Sequence, residues 1–139
     1  LKLFSSYPVL IVSSMSITKL YNQGVFIYYV DHRGATEAES LALITEFVEM
    51  IKDVKEKVRV IYDFRGVDIS NKMLREFYYY GQEYAESRTL IAGLLGIDGV
   101  KQILLKVYLS ITKSQTLTVF QDFEEAKSAV ANYQQNQYV

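Results

Sequence analysis

The stretch VRVIYDFRGVDISNKML, residues 58–74, decides how the rest of the chain is read. Val58, Val60 and Ile61 belong to an apolar, β-branched run that ends in Asp63. Arg65 and Gly66 break the run, and Asp68 and Ser70 stand just ahead of a helical pattern that starts at Met73. This is how a strand hands over, through a glycine turn, to a capped helix. The same few positions also gather two carboxylates, a guanidinium and a hydroxyl, which is the material of an active site or a phosphorylation site.

Working outward, the segment GVFIYYVD (24–31) reads as a strand, and TEAE (36–39) as the capping box of a helix. In that helix Leu41, Ile44, Val48 and Ile51 recur on one face, with Leu43, Phe47 and Val54 widening it. Past the central stretch, Met73, Leu74, Phe77, Tyr78, Gly81 and Ala85 keep helical spacing. RTLIAGLLG (88–96) is apolar almost throughout, as expected of a parallel strand covered on both faces. Asp98 is expected to cap a helix whose core face is Val100, Ile103, Leu104, Val107 and Ile111. TLTVF (116–120) reads as a short strand. Asp122 and Glu125 open a last helix with Ala126, Val130 and Tyr133 inward.

Residues 9–13 and 16–22 read as extended, the second joined to 24–31 by an antiparallel turn at NQG (22–24). The order β-β-α-β-α-β-α-β-α predicts an α/β fold. Its sheet is mostly parallel and four- to five-stranded, with antiparallel N-terminal strands and four helices. No internal repeat or low-complexity linker breaks the chain, so 1–139 reads as a single domain with its core at about 15–133. Residues 1–14 are expected to be an extra strand or a leader. The sequence opens on Leu1, and Met15 begins a segment that would make a natural start.

Composition removes several classes of function. Half of the residues are hydrophobic and 22% are charged, which is globular composition. Fifteen Lys and Arg face sixteen Asp and Glu, so the basic surface needed for non-specific nucleic-acid binding is not expected. With no cysteine, disulfides, thiolate metal sites and a cysteine nucleophile are excluded. A single histidine, His32, excludes a multi-histidine metal site within one chain. No apolar run reaches the ~20 residues of a membrane span. The expectation is a cytoplasmic protein that needs no cofactor.

Ligands of open α/β sheets sit beyond the carboxyl ends of the strands. Those ends carry His32, Arg33, Asp63, Arg65 and Asp98. An enzyme reading pairs His32, as general base, with Asp63 or Asp31, and takes Ser70 as nucleophile. The plainer reading makes His32 a loop residue, Arg33 solvated and Asp63 an acceptor of loop N–H groups. The glycines of AGLLGIDGVK (92–101) match no phosphate-loop spacing. Gly93 reads as a close-packing position, and Gly96 and Gly99 as turn residues. Tyr78, Tyr79 and Tyr80 lie about 100° apart on a helix, so at least one must face outward and offer a contact surface. Gly81 predicts a close contact on the same helix.

The element order, the stretch 58–74, the region IAGLLGIDGVKQIL and the ending VFQDFEEAKSAV resemble the STAS, or SpoIIAA-like, family, and in particular its bacterial stand-alone members. The resemblance spans about residues 15–133 and implies a non-enzymatic module. STAS domains act as anti-sigma factor antagonists that bind a kinase and are switched by phosphorylation at a helix start. CRAL–TRIO domains of the same fold superfamily bind lipids and other hydrophobic ligands. By position Asp63 and Gly66 match the family's strand end, and Ser70 is nearest to its regulatory serine, though Asp68-Ile69-Ser70-Asn71-Lys72 lacks the Ser-Ser-Gly.

The expected contact region is therefore Asp63, Arg65, Gly66, Asp68, Ser70, Asn71, Tyr78 and Tyr79, toward a protein partner or a second copy. Ser70 is its phosphorylation candidate. His32, Arg33 and Asp98 are candidate ligand contacts. The alternative is a carrier of a hydrophobic small molecule between helix and sheet. Serine at a helix start also has a purely structural use, as an N-cap.

Overall fold

A computed structural model describes residues 10–11 and 16–134. Six strands form one sheet in sequential order: β1 (Leu10–Ile11), β2 (Ile17–Asn22), β3 (Val25–Asp31), β4 (Val58–Asp63), β5 (Thr89–Leu95) and β6 (Leu117–Val119). The first three pair antiparallel and the rest parallel. The two-residue β1 takes the place of the extra N-terminal strand. Residues Gln23 and Gly24 join β2 to β3 with φ of 51° and 84°. Positive φ at both positions gives the twist a two-residue hairpin needs.

Four helices complete the fold: α1 (Glu37–Ile51), α2 (Asn71–Tyr80), α3 (Val100–Thr112) and α4 (Phe123–Asn132). Each parallel crossover steps the sheet in the same direction. Right-handed connections then place α1, α2 and α3 on one face. There Leu43, Phe47 and Ile51 of α1 pack on Tyr28, Val30, Val58 and Val60, while Met73 of α2 packs with Phe64 and Leu94. On the other face α4 sets Ala126, Val130 and Ala131 against Ile27, Ile61, Ile91 and Leu95.

Arg59 fastens α4 to the sheet. From β4 its guanidinium donates to the carbonyls of Val130 (2.7 Å), Ala131 (3.2 Å) and Tyr133 (2.8 Å). These belong to the C-terminal end of α4, where helix carbonyls lack partners of their own.

Local chemistry sets the element ends. The Thr36–Glu39 capping box is present in both directions, at 2.8 and 3.1 Å. Ser70 accepts the Met73 amide at 3.2 Å and caps α2. At α4, Asp122 accepts from Glu125 N, while the Glu125 carboxylate turns to the amide of Gln121. After Tyr80 the helix widens into a π-helical turn, Gly81–Ala85, and ends in a 3₁₀ turn, Glu86–Arg88.

Three expectations are corrected. The inward side of α3 is Lys101, Leu104, Leu105 and Tyr108, whereas Val100, Ile103, Val107 and Ile111 are exposed. Asp98 does not cap α3: its carboxylate is solvated, and Gly99 occupies the cap with no side-chain bond. Tyr133 and Val54 lie past their helices and are exposed, since neither follows its helix face any longer.

The glycines of β5 behave as expected. A Cβ at Gly93 would press on Phe120 and Val130 at 3.2 Å, so its absence lets α4 approach. Gly96 has φ +80°, and a Cβ there would run into the backbone of Phe64 and Arg65. Gly34 has φ +78° but open space around it. Gly96→Ala should therefore destabilise the fold well beyond the ~1–3 kcal/mol of a left-handed side chain, and Gly34→Ala by no more than that strain. Urea denaturation of the two variants measures the difference.

Candidate functional site

The strand ends of β3 and β4 carry the same pentapeptide pattern, Asp31-His32-Arg33-Gly34-Ala35 and Asp63-Phe64-Arg65-Gly66-Val67. Their registers coincide, with Asp31 beside Asp63. In each, the fifth residue's amide returns to the second residue's carbonyl, Ala35 to His32 at 3.1 Å and Val67 to Phe64 at 3.0 Å. The glycine between has φ of +78° or +72°, the type II turn requirement. In each, the arginine folds back onto its own aspartate. Arg33 reaches Asp31 through its amide (3.0 Å), Nε and a terminal nitrogen (both 2.9 Å). Arg65 reaches Asp63 in the same way at 3.1, 3.0 and 2.7 Å.

Asp63 is fully buried and also accepts the Tyr29 hydroxyl at 2.6 Å, with Arg33 Nε 3.5 Å away. Burial pushes its carboxyl up, but the bonds from Arg65 and Tyr29 outweigh burial and hold it below the ordinary carboxylate range. For Tyr29, burial and the bond to Asp63 raise the phenol above its usual value.

His32 is not a surface loop residue. It continues the inward alternation of Tyr28 and Val30 and is fully buried. Its ring stacks on Phe64, with centroids 4.5 Å apart and planes at 22°, and meets the edge of Phe77. Nδ1 lies 3.0 Å from Ser40 Oγ of α1. Nε2 has no hydrogen-bond partner among the described residues. Burial lowers its pKa to about 4 against the pull of Asp31 and Asp63, so the ring is neutral at pH 7.

His32 is among the residues that line a cavity of about 130 Å³ between the sheet and α1–α3, with Nε2 itself enclosed by protein. Ala92 on the sheet and Ala85 on the helical side contribute little bulk to its walls. Tyr62, Phe64, Leu94, Phe77, Leu105 and Tyr108 supply the apolar wall. Over Gly81 passes the Tyr108 hydroxyl, which donates to the Phe77 carbonyl at 3.3 Å, so the expected close contact at this glycine is present. Burial, aided by Glu86, pushes that phenol up to about 12. At the opposite end of the parallel strands lies Thr89, whose buried hydroxyl also lacks a partner among the described residues. Nearby, Glu86 is taken up by Ser114 and Thr116 at 2.8 and 3.2 Å.

The enzyme constellation is not assembled. His32 contacts Ser40 rather than either aspartate, Asp63 is held by Tyr29 and Arg65, and the Ser70 hydroxyl caps α2. Among the described residues no group of three or more His, Asp or Glu is placed to hold a metal.

The proposed contact region is partly open. Gly66, Asp68 and Asn71 are exposed, as are Tyr78 (40%) and Tyr79 (48%), while Tyr80 turns inward. Sequence reasoning raised a hydrophobic site between helix and sheet as its alternative, but missed Thr89, Ser40 and the paired pentapeptide. No protein-family model, curated protein or solved structure was found to match the chain.

The buried histidine makes stability depend on pH. Unfolded, His32 takes its proton near pH 6.5; folded, it does so near pH 4. Between these values the unfolded chain binds more protons, so stability falls as pH is lowered, by about 3 kcal/mol across the window. His32→Phe should lack this component. Urea titrations of both proteins at neutral and acid pH compare the slopes.

Proposed function

We propose that the chain is a binding module that takes a small, largely apolar molecule bearing one hydrogen-bonding group into the cavity between the sheet and α1–α3. The observation that carries this reading is a largely apolar cavity whose lining includes His32 and Thr89, each with a buried polar atom that lacks a partner among the described residues. Each such group costs about 1–3 kcal/mol when left unpaired, and a ligand that meets one recovers that cost. The volume supports a molecule of single-ring size, since an apolar cavity of about 150 Å³ accepts benzene. Neutral His32 favours an uncharged hydroxyl or amine over a fully ionised group.

A regulatory role fits the same helix. α2 sends Phe77 and Tyr80 into the cavity wall and presents Tyr78 and Tyr79 outside. Occupancy of the cavity would then bear on the outward contact surface, in keeping with a protein partner at residues 66–84. Phosphorylation of Ser70 would trade its cap bond to Met73 for a charge at a helix N-terminus, where an anion is tolerated. Among the described residues no helix is long and apolar enough to cross a membrane.

Titration with indole, a single-ring-sized probe with one N–H, tests the reading. Melting temperature should rise with indole, and Ala85→Leu, which fills the cavity, should abolish the shift while keeping the fold. Native mass spectrometry of the purified protein should show a small adduct. A clean apo mass together with no indole response would sink the proposal.

The outward tyrosines give a separate expectation. Tyr79→Ser should change stability by no more than about 0.5 kcal/mol, as an exposed position does. A larger loss in urea denaturation would mean that Tyr79 supports the fold instead of a contact.

A further inference from the structure

The outer side of α3 carries a feature that the cavity does not use. Val100, Ile103, Val107 and Ile111 are 69%, 62%, 44% and 56% exposed. Their spacing of three, four and four residues sets them within an arc of roughly 80° at about 100° per residue. The helix is thus apolar twice over: one flank closes the cavity through Leu104, Leu105 and Tyr108, and the other meets water. Single exposed aliphatics are ordinary on a protein surface, but a continuous row along a helix is the pattern of a docking face.

Charge selects the occupant. Between Asp98 and Asp122 the chain has Lys101, Lys106 and Lys113 and no acidic residue. Lys106 and Lys113 are exposed, Lys106 on the flank beside the row and Lys113 at the C-cap of α3. Lys101 turns inward, donating to the Phe64 carbonyl at 2.9 Å and standing 3.8 Å from the exposed Asp98. A second copy of the chain would bring lysines against lysines with no carboxylate along the helix to answer them. A surface that is both apolar and anionic meets the row and the lysines together.

We propose that α3 docks on an anionic lipid bilayer, lying in the plane of the interface with its aliphatic row in the acyl boundary and Lys106 and Lys113 among the headgroups. With 13 residues α3 is too short to span a bilayer, so it binds along the surface. The lysines fix the sign of the lipid charge, and the row supplies apolar burial. This contact is independent of whether the cavity holds a ligand.

Co-sedimentation with extruded vesicles tests it. The full chain should pellet with an equal mixture of phosphatidylcholine and phosphatidylglycerol, stay in solution with phosphatidylcholine alone, and be released by high salt. Lys106→Gln and Lys113→Gln should each weaken vesicle affinity about five-fold. The double variant Ile103→Glu, Val107→Glu changes only exposed positions and should abolish pelleting with its circular-dichroism melt retained. Should that variant misfold, the single lysine variants still decide. The proposal is overturned by the absence of pelleting with anionic vesicles, or by pelleting that the lysine variants leave unchanged. A dimer in sedimentation velocity that Ile103→Glu dissociates would also overturn it, because a second copy would then cover the face.

Discussion

The structure depends on one buried carboxylate. A charge as enclosed as that of Asp63 is costly unless it is answered, and removing one partner of such a group costs several kcal/mol. Here Arg65 and Tyr29 answer it, and the answer is structural. Because Arg65 sits two residues on, holding the charge also folds the turn. The turn places Phe64 under the ring of His32 and brings Val67 into the core with Met73. The stretch that opens as a candidate reaction site therefore spends its Asp63 and Arg65 on a corner. The copy at Asp31 repeats the device one strand over in a more solvated setting.

Corners of this kind define the strand ends, and the space between strands and helices is left to side-chain size. Between the sheet and α1–α3 the layers leave a gap, and its lining residues His32 and Thr89 each keep a buried atom unsatisfied among the described residues. Native interiors seldom leave buried polar atoms unpaired. The cavity is therefore the part of the molecule that its own residues leave incomplete.

Much of the fold was legible because it rests on local rules. The apolar strand runs, the Thr36–Glu39 box, the Gln23–Gly24 turn and the Ser70 cap each follow from a few neighbouring residues. What was not legible depended on choices between surfaces. α3 offers two apolar flanks. Periodicity identifies apolar flanks without saying which of two meets the sheet, and the flank that does includes Lys101 and Tyr108, whose polar tips disguise it. His32 sits between Asp31 and Arg33 and so reads as a loop residue. The alternation of Tyr28, Val30 and His32 was the available signal that it points inward. The paired pentapeptide is too short to stand out as a repeat until the strands align it. A site between helix and sheet was anticipated only in kind, and its lining was not, since Ile44, Tyr62, Phe77, Ala92 and Leu105 meet there from distant parts of the chain.

The clamp between Arg59 and α4 has a consequence for biosynthesis. Among the described residues, one face of the sheet is covered by α4, which follows every strand of that sheet in the chain. Until it emerges, Ile27, Ile61 and Ile91 lack the cover of Ala126, Val130 and Ala131, and exposed apolar strands of that sort invite association between unfinished chains. The waiting guanidinium on β4 needs carbonyls from the last turn of α4 and from Tyr133 just beyond it, so the clamp forms only after that segment has emerged.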